Sequence, residues 1–336
     1  MTAEHSANNS DLDVDRLLHD VQVAEAAGIT DAQAYSCNIF AQVSLPHRGG
    51  KHEVSKLIRR NGNLTIVMSS TGSLGLPYGH YARLILCWLV RQACIRNAYY
   101  DLDEARYIPL DGSIREIMRD MGIAKPRRWV NRETGKINRG SISSDRYAQF
   151  MDQLRRVRGM NITVEIDGAL DSIGFADQKN TPVTEESFVC WDAKDGEVQS
   201  DSYILLSRPF FKQAVEHAVP LNPVHLAQFS RSPLAFDLYV WVAYRLFTNK
   251  GHTYVTWQQL RDQIGAGYPD TPQGMRNFKK KALLALTKIK AAWPKAEVHE
   301  WSSHANGGLK LVGNTTPVDR RPQNPGTSPG ASEPKF

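Results

Sequence analysis

The sequence predicts an α+β fold of two tandem winged-helix (helix-turn-helix) domains, with small β-hairpins and disordered tails. One order of elements, helix, short strand, helix, helix, hairpin, occurs twice along the 336 residues and is typical of a winged helix. Hydrophobic residues make up 41% of the chain, enough for packed cores. This length also fits two domains plus tails. We expect a partly helical N-terminal extension at 1–60, domains at 61–195 and 201–313, and a disordered tail at 314–336.

Local signals place the elements of the first block. Apolar residues at three- and four-residue spacing, such as Tyr81, Leu84 and Trp88, indicate one face of a helix. Serine followed three residues later by glutamate indicates a helix start. The predicted elements are a strand at 63–68, a helix from Pro77, a strand at 107–110, a helix at 113–122, a basic loop at 125–140, a helix from Ser143 or Ser144 to about 158, and a hairpin of strands 161–166 and 187–191.

The second block carries clearer helix starts. Thr256 and Gln259 form a capping-box pattern, and Thr271 precedes Pro272 in the first turn of a helix, where proline is favoured. The predicted elements are a strand at 203–206, a helix from 232–233, a strand at 254–255, a helix at 256–265, a helix from 272 to about 293, and a hairpin that turns at 306–307. Further helices are expected between residues 11 and 34. The proline-, glycine- and serine-rich residues after 314 predict disorder.

Composition limits the environment and the partners. The formal net charge of +6 permits nucleic-acid binding without requiring it. The four cysteines, Cys37, Cys87, Cys94 and Cys190, form no C-x-x-C pair, so we expect buried free thiols and no metal site. Few cysteines and no apolar leader favour a reducing bacterial cytoplasm. No apolar run approaches the roughly 20 residues needed to span a membrane.

Several segments carry a family resemblance. G-L-P-Y-G at 75–79 precedes the helix Y-A-R-L-I-L-C-W-L-V-R-Q-A, and I-P-L-D-G-S-I-R-E-I-M-R-D-M-G-I at 108–123 and S-R-P-F-F-K-Q at 207–213 follow. Over about residues 60–313 the sequence resembles the plasmid-encoded RepA replication-initiator family. This resemblance implies a protein that binds repeated sites (iterons) at a plasmid origin and helps to recruit host replication proteins, such as the host initiator and the replicative helicase. The first 60 residues carry no matching motif.

Motifs for catalysis are missing from the sequence. Gly49-Gly50-Lys51 lacks the upstream glycine and the following serine or threonine of a phosphate-binding loop. No two of the ten histidines are two residues apart, as a metal-dependent nickase would need. We therefore interpret the pair Tyr99-Tyr100 as packing residues. We predict that the chain is not an enzyme and needs no cofactor or metal.

The helix from Pro272 is the predicted DNA-reading element. Four side chains suited to base edges lie opposite its apolar face, and acids are absent from 273–295. Arginine pairs with guanine, and asparagine or glutamine pairs with adenine. The first turns of such a helix usually enter the major groove. The predicted base-contacting residues are Gln273, Arg276, Asn277 and Lys280. An ordinary solvated face is the alternative interpretation.

Other basic residues are predicted phosphate contacts. In the first block, the helix from Ser143 carries aspartates on its outward face, so we expect the adjoining loop to grip DNA, to form a homodimer surface, or to be simply solvated. Arg83 is expected to be either structural or a phosphate contact. Lys310, and His304 near the hairpin tip, either reach phosphate or lie on an exposed turn. The first-block candidates and the hairpin candidate are Arg127, Arg128, Arg132, Lys136, Arg139, Arg156 and Lys310.

Three functions fit these observations. The first is an initiator that binds double-stranded origin repeats and nucleates replisome assembly. The second is a winged-helix transcriptional repressor without a role in replication. The third, an origin nickase, is disfavoured because the metal and phosphate motifs are missing.

Overall fold

The computed structural model describes residues 34–49, 54–61, 64–110, 114–121, 123, 128–130, 137–139, 142–170, 173–189, 202–265, 267–302, 307–313 and 315–318. Within these ranges the chain forms ten helices and five small antiparallel sheets, which confirms the α+β class. The helices predicted before residue 34 and most of the predicted disordered tail lie outside the described residues.

The N-terminal part of the described chain adds elements that the sequence did not predict. The new elements are β1 (Ala34–Cys37), α1 (Asn38–Gln42) and β2 (Lys56–Asn61). β3 (Leu64–Ser70) confirms the strand predicted at 63–68. β1 is short and pairs with a strand more than 180 residues later, a partner that no local pattern indicates.

The first block keeps its predicted helices and changes its strand pairing. Its elements are α2 (Gly79–Asn97), α3 (Leu102–Ala105), β4 (Tyr107–Pro109), α4 (Ile114–Asp120), β5 (Arg128–Val130), β6 (Ile137–Arg139), α5 (Ser144–Arg158), β7 (Met160–Leu170), β8 (Ile173–Pro182) and β9 (Thr184–Phe188). The predicted capping residue Ser113 lies outside the described residues. Ser143 caps α5 by accepting a hydrogen bond from the Arg146 amide.

Two predictions in this block are wrong. The partner of β7 is not 187–191 but β8, which follows directly and extends the pairing along ten residues of β7, in the four-stranded sheet β2-β3-β7-β8. The basic segment is not a plain loop, because β5 and β6 form a hairpin in which Val130 pairs with Ile137. Both residues are β-branched and favour strands, a signal that the surrounding basic residues obscured.

The strand at 203–206 forms as predicted but joins other partners. The next elements are β10 (Tyr203–Leu206), α6 (Arg208–Glu216), β11 (Ala218–Leu221) and α7 (Pro223–Phe229). β10 is the central strand of the sheet β4-β10-β9. Phe210 and Phe211 of α6 are buried in the same hydrophobic core as Tyr81 of α2 and Phe150 of α5. Both elements therefore pack with the first block, not the second. The predicted domain bounds stay a prediction.

The second block follows the predicted order closely. Its elements are α8 (Pro233–Thr248), β12 (His252–Thr256), α9 (Trp257–Ile264), α10 (Pro272–Ala292), β13 (Val298–Ser302) and β14 (Gly307–Val312). The sheet order is β12-β14-β13. The capping box is confirmed, because Thr256 Oγ1 accepts from the Gln259 amide and the Gln259 side chain accepts from the Thr256 amide.

Two hydrophobic cores meet at α2. Tyr81, Ile85 and Leu89 of this helix belong to the first core, whereas Leu84 and Cys87 belong to the second. α2 is therefore buried on nearly all sides, and the two blocks share an apolar interface.

Three of the four cysteines lie in the described part of the chain. Cys37 and Cys87 are buried free thiols, as predicted, and Cys94 is free and half-buried. Burial raises the pKa of each of these three thiols to about 12. Cys190 lies outside the described residues. No helix within the described ranges is long and apolar enough to cross a membrane.

Candidate nucleic-acid interface

The start of α10 is held in place by its own sequence. Thr271 Oγ1 accepts a hydrogen bond from the Gly274 amide at 3.0 Å, and Pro272 occupies the first turn. A Cβ atom at Gly274 would collide with the carbonyl oxygen of Pro269, so only glycine lets the preceding turn pack against the helix. The apolar face is buried through Phe278 and Ile289. The opposite face of α10 is therefore turned to solvent in a fixed direction.

The structure brings the four predicted base-contacting residues together on that solvent face, where all four are exposed. The Gln273 amide nitrogen donates to Asn277 Oδ1 at 3.0 Å. Arg276 Nε and Nη2 donate to Gln273 Oε1 at 3.2 and 2.8 Å. Lys280 follows one turn later. Within the described part of the chain, no carboxylate pairs with Arg276 or Lys280. These groups can therefore donate to an acceptor from outside.

Lys279, their neighbour, has a different role. Its Nζ lies 2.6 Å from Glu300 Oε1 on β13 and 5.3 Å from the centre of the Trp257 ring on α9. It thus ties α10 to the hairpin. Lys281 and Lys288, which the sequence analysis did not single out, are exposed farther along the helix and extend the cationic surface.

The hairpin candidate Lys310 lies in the middle of its sheet. Lys310 pairs in register with Tyr254 on one side and His299 on the other. Its Nζ lies 5.5 Å from the centre of the Tyr254 ring. His304 lies outside the described residues. The structure therefore places Lys310 on the sheet face and not at the tip of the hairpin.

Arg156 is already engaged within the protein. Its Nε lies 2.9 Å from Asp152 Oδ2, and its side chain is only 12% exposed. Its guanidinium also lies 5.3 Å from the centre of the Tyr78 ring. The prediction that Arg156 contacts DNA stays a prediction, and these partners compete with a phosphate for its donors.

The remaining basic residues of the first block lie in and around the β5–β6 hairpin. Arg128 and Arg139 are register partners across it. The other four, Lys125, Arg127, Arg132 and Lys136, lie outside the described residues. Their role as phosphate contacts stays a prediction.

The family-model comparison decides the family. The model described as plasmid encoded RepA protein matches residues 76–259, more than half of the chain. The chain belongs to the RepA family of plasmid replication initiators. The matched segment begins inside G-L-P-Y-G and ends in α9, so the candidate helix α10 of this RepA-family chain follows it.

The other comparisons add less. No curated protein matches the chain. A crystal structure of RctB domains 2 and 3 is similar at 10% identity and a TM-score of 0.46, covering 80% of this chain and 95% of that one. A second RctB structure, domains 2–3, gives 12% identity and the same TM-score, covering 82% and 96%. At this identity and TM-score the similarity assigns neither a fold nor a function to the chain.

The G-L-P-Y-G turn at 75–79 has a structural role. Gly75 and Gly79 have φ of +66° and +71°, a region that glycine occupies without strain. The Gly79 amide donates to Pro46 O at 3.1 Å, and the Tyr78 amide donates to Gln153 Oε1 at 2.8 Å. The motif thus fastens the start of α2 to the N-terminal segment and to α5.

The two open alternatives for Arg83 are now resolved, because it is structural. Arg83 Nε and Nη2 donate to Asp237 Oδ1 and Oδ2, both at 2.6 Å. The rest of its donors reach the carbonyl oxygens of Gly79, Pro46 and Leu45 at 2.7, 3.2 and 2.8 Å. The Arg83 and Asp237 side chains are 3% and 6% exposed. Arg83 is therefore too buried to contact a phosphate.

Asp237 is the residue that sequence reasoning missed. It lies in α8 among apolar neighbours, and His47 Nε2 lies 3.2 Å from its Oδ2. Burial alone would raise the pKa of this carboxyl, but Arg83 and His47 hold it below its usual value. The sequence did contain one signal for this role. A charged residue on an otherwise apolar helix face is expected to be buried and to need a buried partner.

Proposed function

We propose that this RepA-family chain initiates plasmid replication by binding repeated double-stranded sites (iterons) at an origin and nucleating replisome assembly there. The observation that carries the proposal is the exposed cluster of Gln273, Arg276 and Asn277 on α10. Its members hydrogen-bond to one another, and residues 273–295, which include the rest of this helix, contain no acid. Such a surface offers several donors to base edges and repels no phosphate.

The topology of residues 233–312 supports a winged-helix interpretation. Helix α8, strand β12 and helices α9 and α10 precede a hairpin that joins β12 in one sheet. In a winged helix the third helix enters the major groove. α10 occupies this third position. Its N-terminus also provides backbone donors for a phosphate.

The first block is proposed to assist binding through its basic hairpin. Arg128 and Arg139 are register partners across β5 and β6, and the sequence between these strands adds Arg132 and Lys136. Cations on a hairpin favour contact with the phosphate backbone, which increases affinity without selecting a sequence. A homodimer surface at this position is the alternative.

The mechanism we propose is binding without catalysis, in the bacterial cytoplasm, with no cofactor. Bound initiators would gather on the repeats and present a surface to the host initiator and the replicative helicase. Tyr99 and Tyr100 are each half-exposed, and the Arg96 guanidinium lies 4.4 Å from the centre of the Tyr100 ring. This stacking gives Tyr100 a packing role.

Footprinting on the chain's own plasmid tests this proposal. Protection of tandem repeats at the origin, lost in Arg276→Ala and kept in Lys212→Ala, is the expected result. Lys212→Ala removes an exposed cation from α6 and serves as the matched control. Protection of one inverted repeat over a promoter would instead favour the winged-helix repressor. No protection of any plasmid sequence would contradict both functions.

A further inference from the structure

The sheet β12-β14-β13 has an outer face on which His252, Tyr254 and His299 are exposed, while Lys310 and Trp301 are half-buried. Neighbouring strands place paired residues on the same face, and the register brings Tyr254, Lys310 and His299 side by side. His252 and Trp301 lie two residues away on the same side of their strands. The inner face, by contrast, buries Val255, Val298, Leu309 and Leu311. An aromatic and basic surface is therefore turned to solvent.

The Tyr254 ring on this face is accessible for stacking. The Tyr254 side chain is 55% exposed although tyrosine usually buries much of its ring. The Trp301 ring meets it edge to face, with ring centres 5.5 Å apart. This contact restricts the Tyr254 ring, which lowers the entropy cost of stacking a flat ligand on it.

The charges on this face favour an anionic ligand. The Lys310 ammonium lies over one face of the Tyr254 ring, 5.5 Å from its centre. His252 and His299 are exposed at the two outer strands. Glu300 has the opposite strand parity and pairs with Lys279 of α10, so its charge is neutralised on the inner side. Glu297, just before β13, is the one carboxylate beside the outer face among the described residues of this sheet.

We propose that this outer sheet face binds single-stranded DNA. A base stacks on the exposed Tyr254 ring, and Lys310 with the two histidines contacts the adjoining phosphates. Sheet faces with exposed aromatic rings and nearby cations are suited to single strands, whose bases are free to stack. A double helix hides its base faces and cannot use such rings. A protein partner is disfavoured by the cationic neighbours of the rings.

The geometry separates this surface from the base-reading cluster. Glu300 faces α10, whereas Tyr254 and Lys310 lie on the opposite side of the same sheet. The proposal thus extends the proposed function, because a chain bound to duplex repeats through α10 would still present this face to a strand opened beside them. It also stands without that function, since the face is complete by itself.

The test measures binding of a fluorescent oligothymidylate of about 20 nucleotides and of a duplex origin repeat to the same full-length protein. Tyr254→Ala is expected to weaken oligothymidylate binding by about tenfold, since one stacked base is lost, and to leave duplex binding unchanged. Tyr254→Phe keeps the ring and should keep the affinity. Lys310→Gln should weaken binding and reduce its salt dependence. Tyr107→Ala, which removes a partly exposed ring from another sheet, is the matched control.

Each outcome decides between the two proposals. Oligothymidylate bound by the wild type and lost in Tyr254→Ala supports the single-strand site, even if no duplex repeat is bound and the proposed initiator function fails. No oligothymidylate binding at physiological salt overturns the site and leaves the face to a protein partner. Equal losses on oligothymidylate and duplex in Tyr254→Ala, or equal losses in Tyr107→Ala, overturn it as well. Circular dichroism of each variant checks that the fold is retained.

Discussion

Asp237→Asn is expected to destabilise the chain by about 3–5 kcal/mol, the usual cost of removing one partner of a buried ion pair. The substitution leaves the Arg83 guanidinium almost fully buried and without a countercharge. It also replaces two charge-assisted hydrogen bonds of 2.6 Å, and such bonds contribute about 1.5–3 kcal/mol each. Since native proteins are stable by only about 5–15 kcal/mol, this loss should be large in any unfolding assay.

The assay is urea denaturation followed by circular dichroism and by tryptophan fluorescence, with Asp152→Asn as the matched control. The same substitution there breaks an ion pair in which the Asp152 carboxylate is 42% exposed and the Arg156 side chain 12% exposed. The expected loss is smaller than for Asp237→Asn, because solvent screens a pair whose carboxylate it reaches. Equal destabilisation in the two variants would contradict the claim that the buried Arg83–Asp237 ion pair stabilises the fold more than a partly exposed pair does.

A double-mutant cycle separates the pair from its surroundings. Arg83→Met combined with Asp237→Leu removes both charges, so the double variant should lose much less stability than the sum of the single losses. It should still lose some, because the carbonyl oxygens of Leu45 and Pro46 lose their buried donor. Losses that add within about 0.5 kcal/mol would mean that the two side chains are not coupled.

Three further results are expected. Folding lowers the pKa of Asp237 from 3.8, so the ionised carboxylate stabilises the fold fully above that pH and loses this effect as the pH falls through the lower, folded-state pKa. The difference in unfolding free energy between wild type and Asp237→Asn should therefore shrink in acid. A difference that grows in acid would contradict this direction of the pKa shift. Affinity for the natural DNA should fall steeply with salt because cations displace counterions, so a flat log–log plot would exclude phosphate contacts. Purified protein with added metal ions should not nick supercoiled origin DNA, and it should not hydrolyse ATP. Plasmids that encode the Tyr99→Phe or Tyr100→Phe variant should replicate normally. A covalent tyrosine–DNA adduct would contradict the non-enzymatic mechanism.

The elements that the sequence predicted well are those with local signals. α10 was expected from 272 to about 293 and spans Pro272–Ala292, because its cap, its first-turn proline and its apolar period all lie within the helix itself. The capping box at Thr256 was equally local. The grouping of Gln273, Arg276 and Asn277 on one exposed helix face could be predicted for the same reason, whereas their contact with base edges stays a prediction.

Features that depend on distant contacts were not predictable. Strand β10 alternates like any strand, but nothing in its sequence specifies pairing with β4, almost a hundred residues earlier. Asp237 and Arg83 are 154 residues apart, so the sequence could not show whether Arg83 is a structural residue or a phosphate contact. Likewise, the backbone groups of β1 find their hydrogen-bond partners on β11 only in the folded chain.

The base-reading role of α10 is tested most directly by comparing Arg276→Ala with Arg128→Ala on the origin repeat and on random DNA. Arg276→Ala should cost about 1–3 kcal/mol on the repeat and much less on random DNA, and it should relax preference at one base position. Replacing Arg128, or its neighbours Arg127 and Arg132, should weaken both kinds of binding alike and lower the salt slope by about one. If the Arg276 and Arg128 variants lose equal affinity on both DNAs, α10 does not read the sequence, and α5 becomes the next candidate.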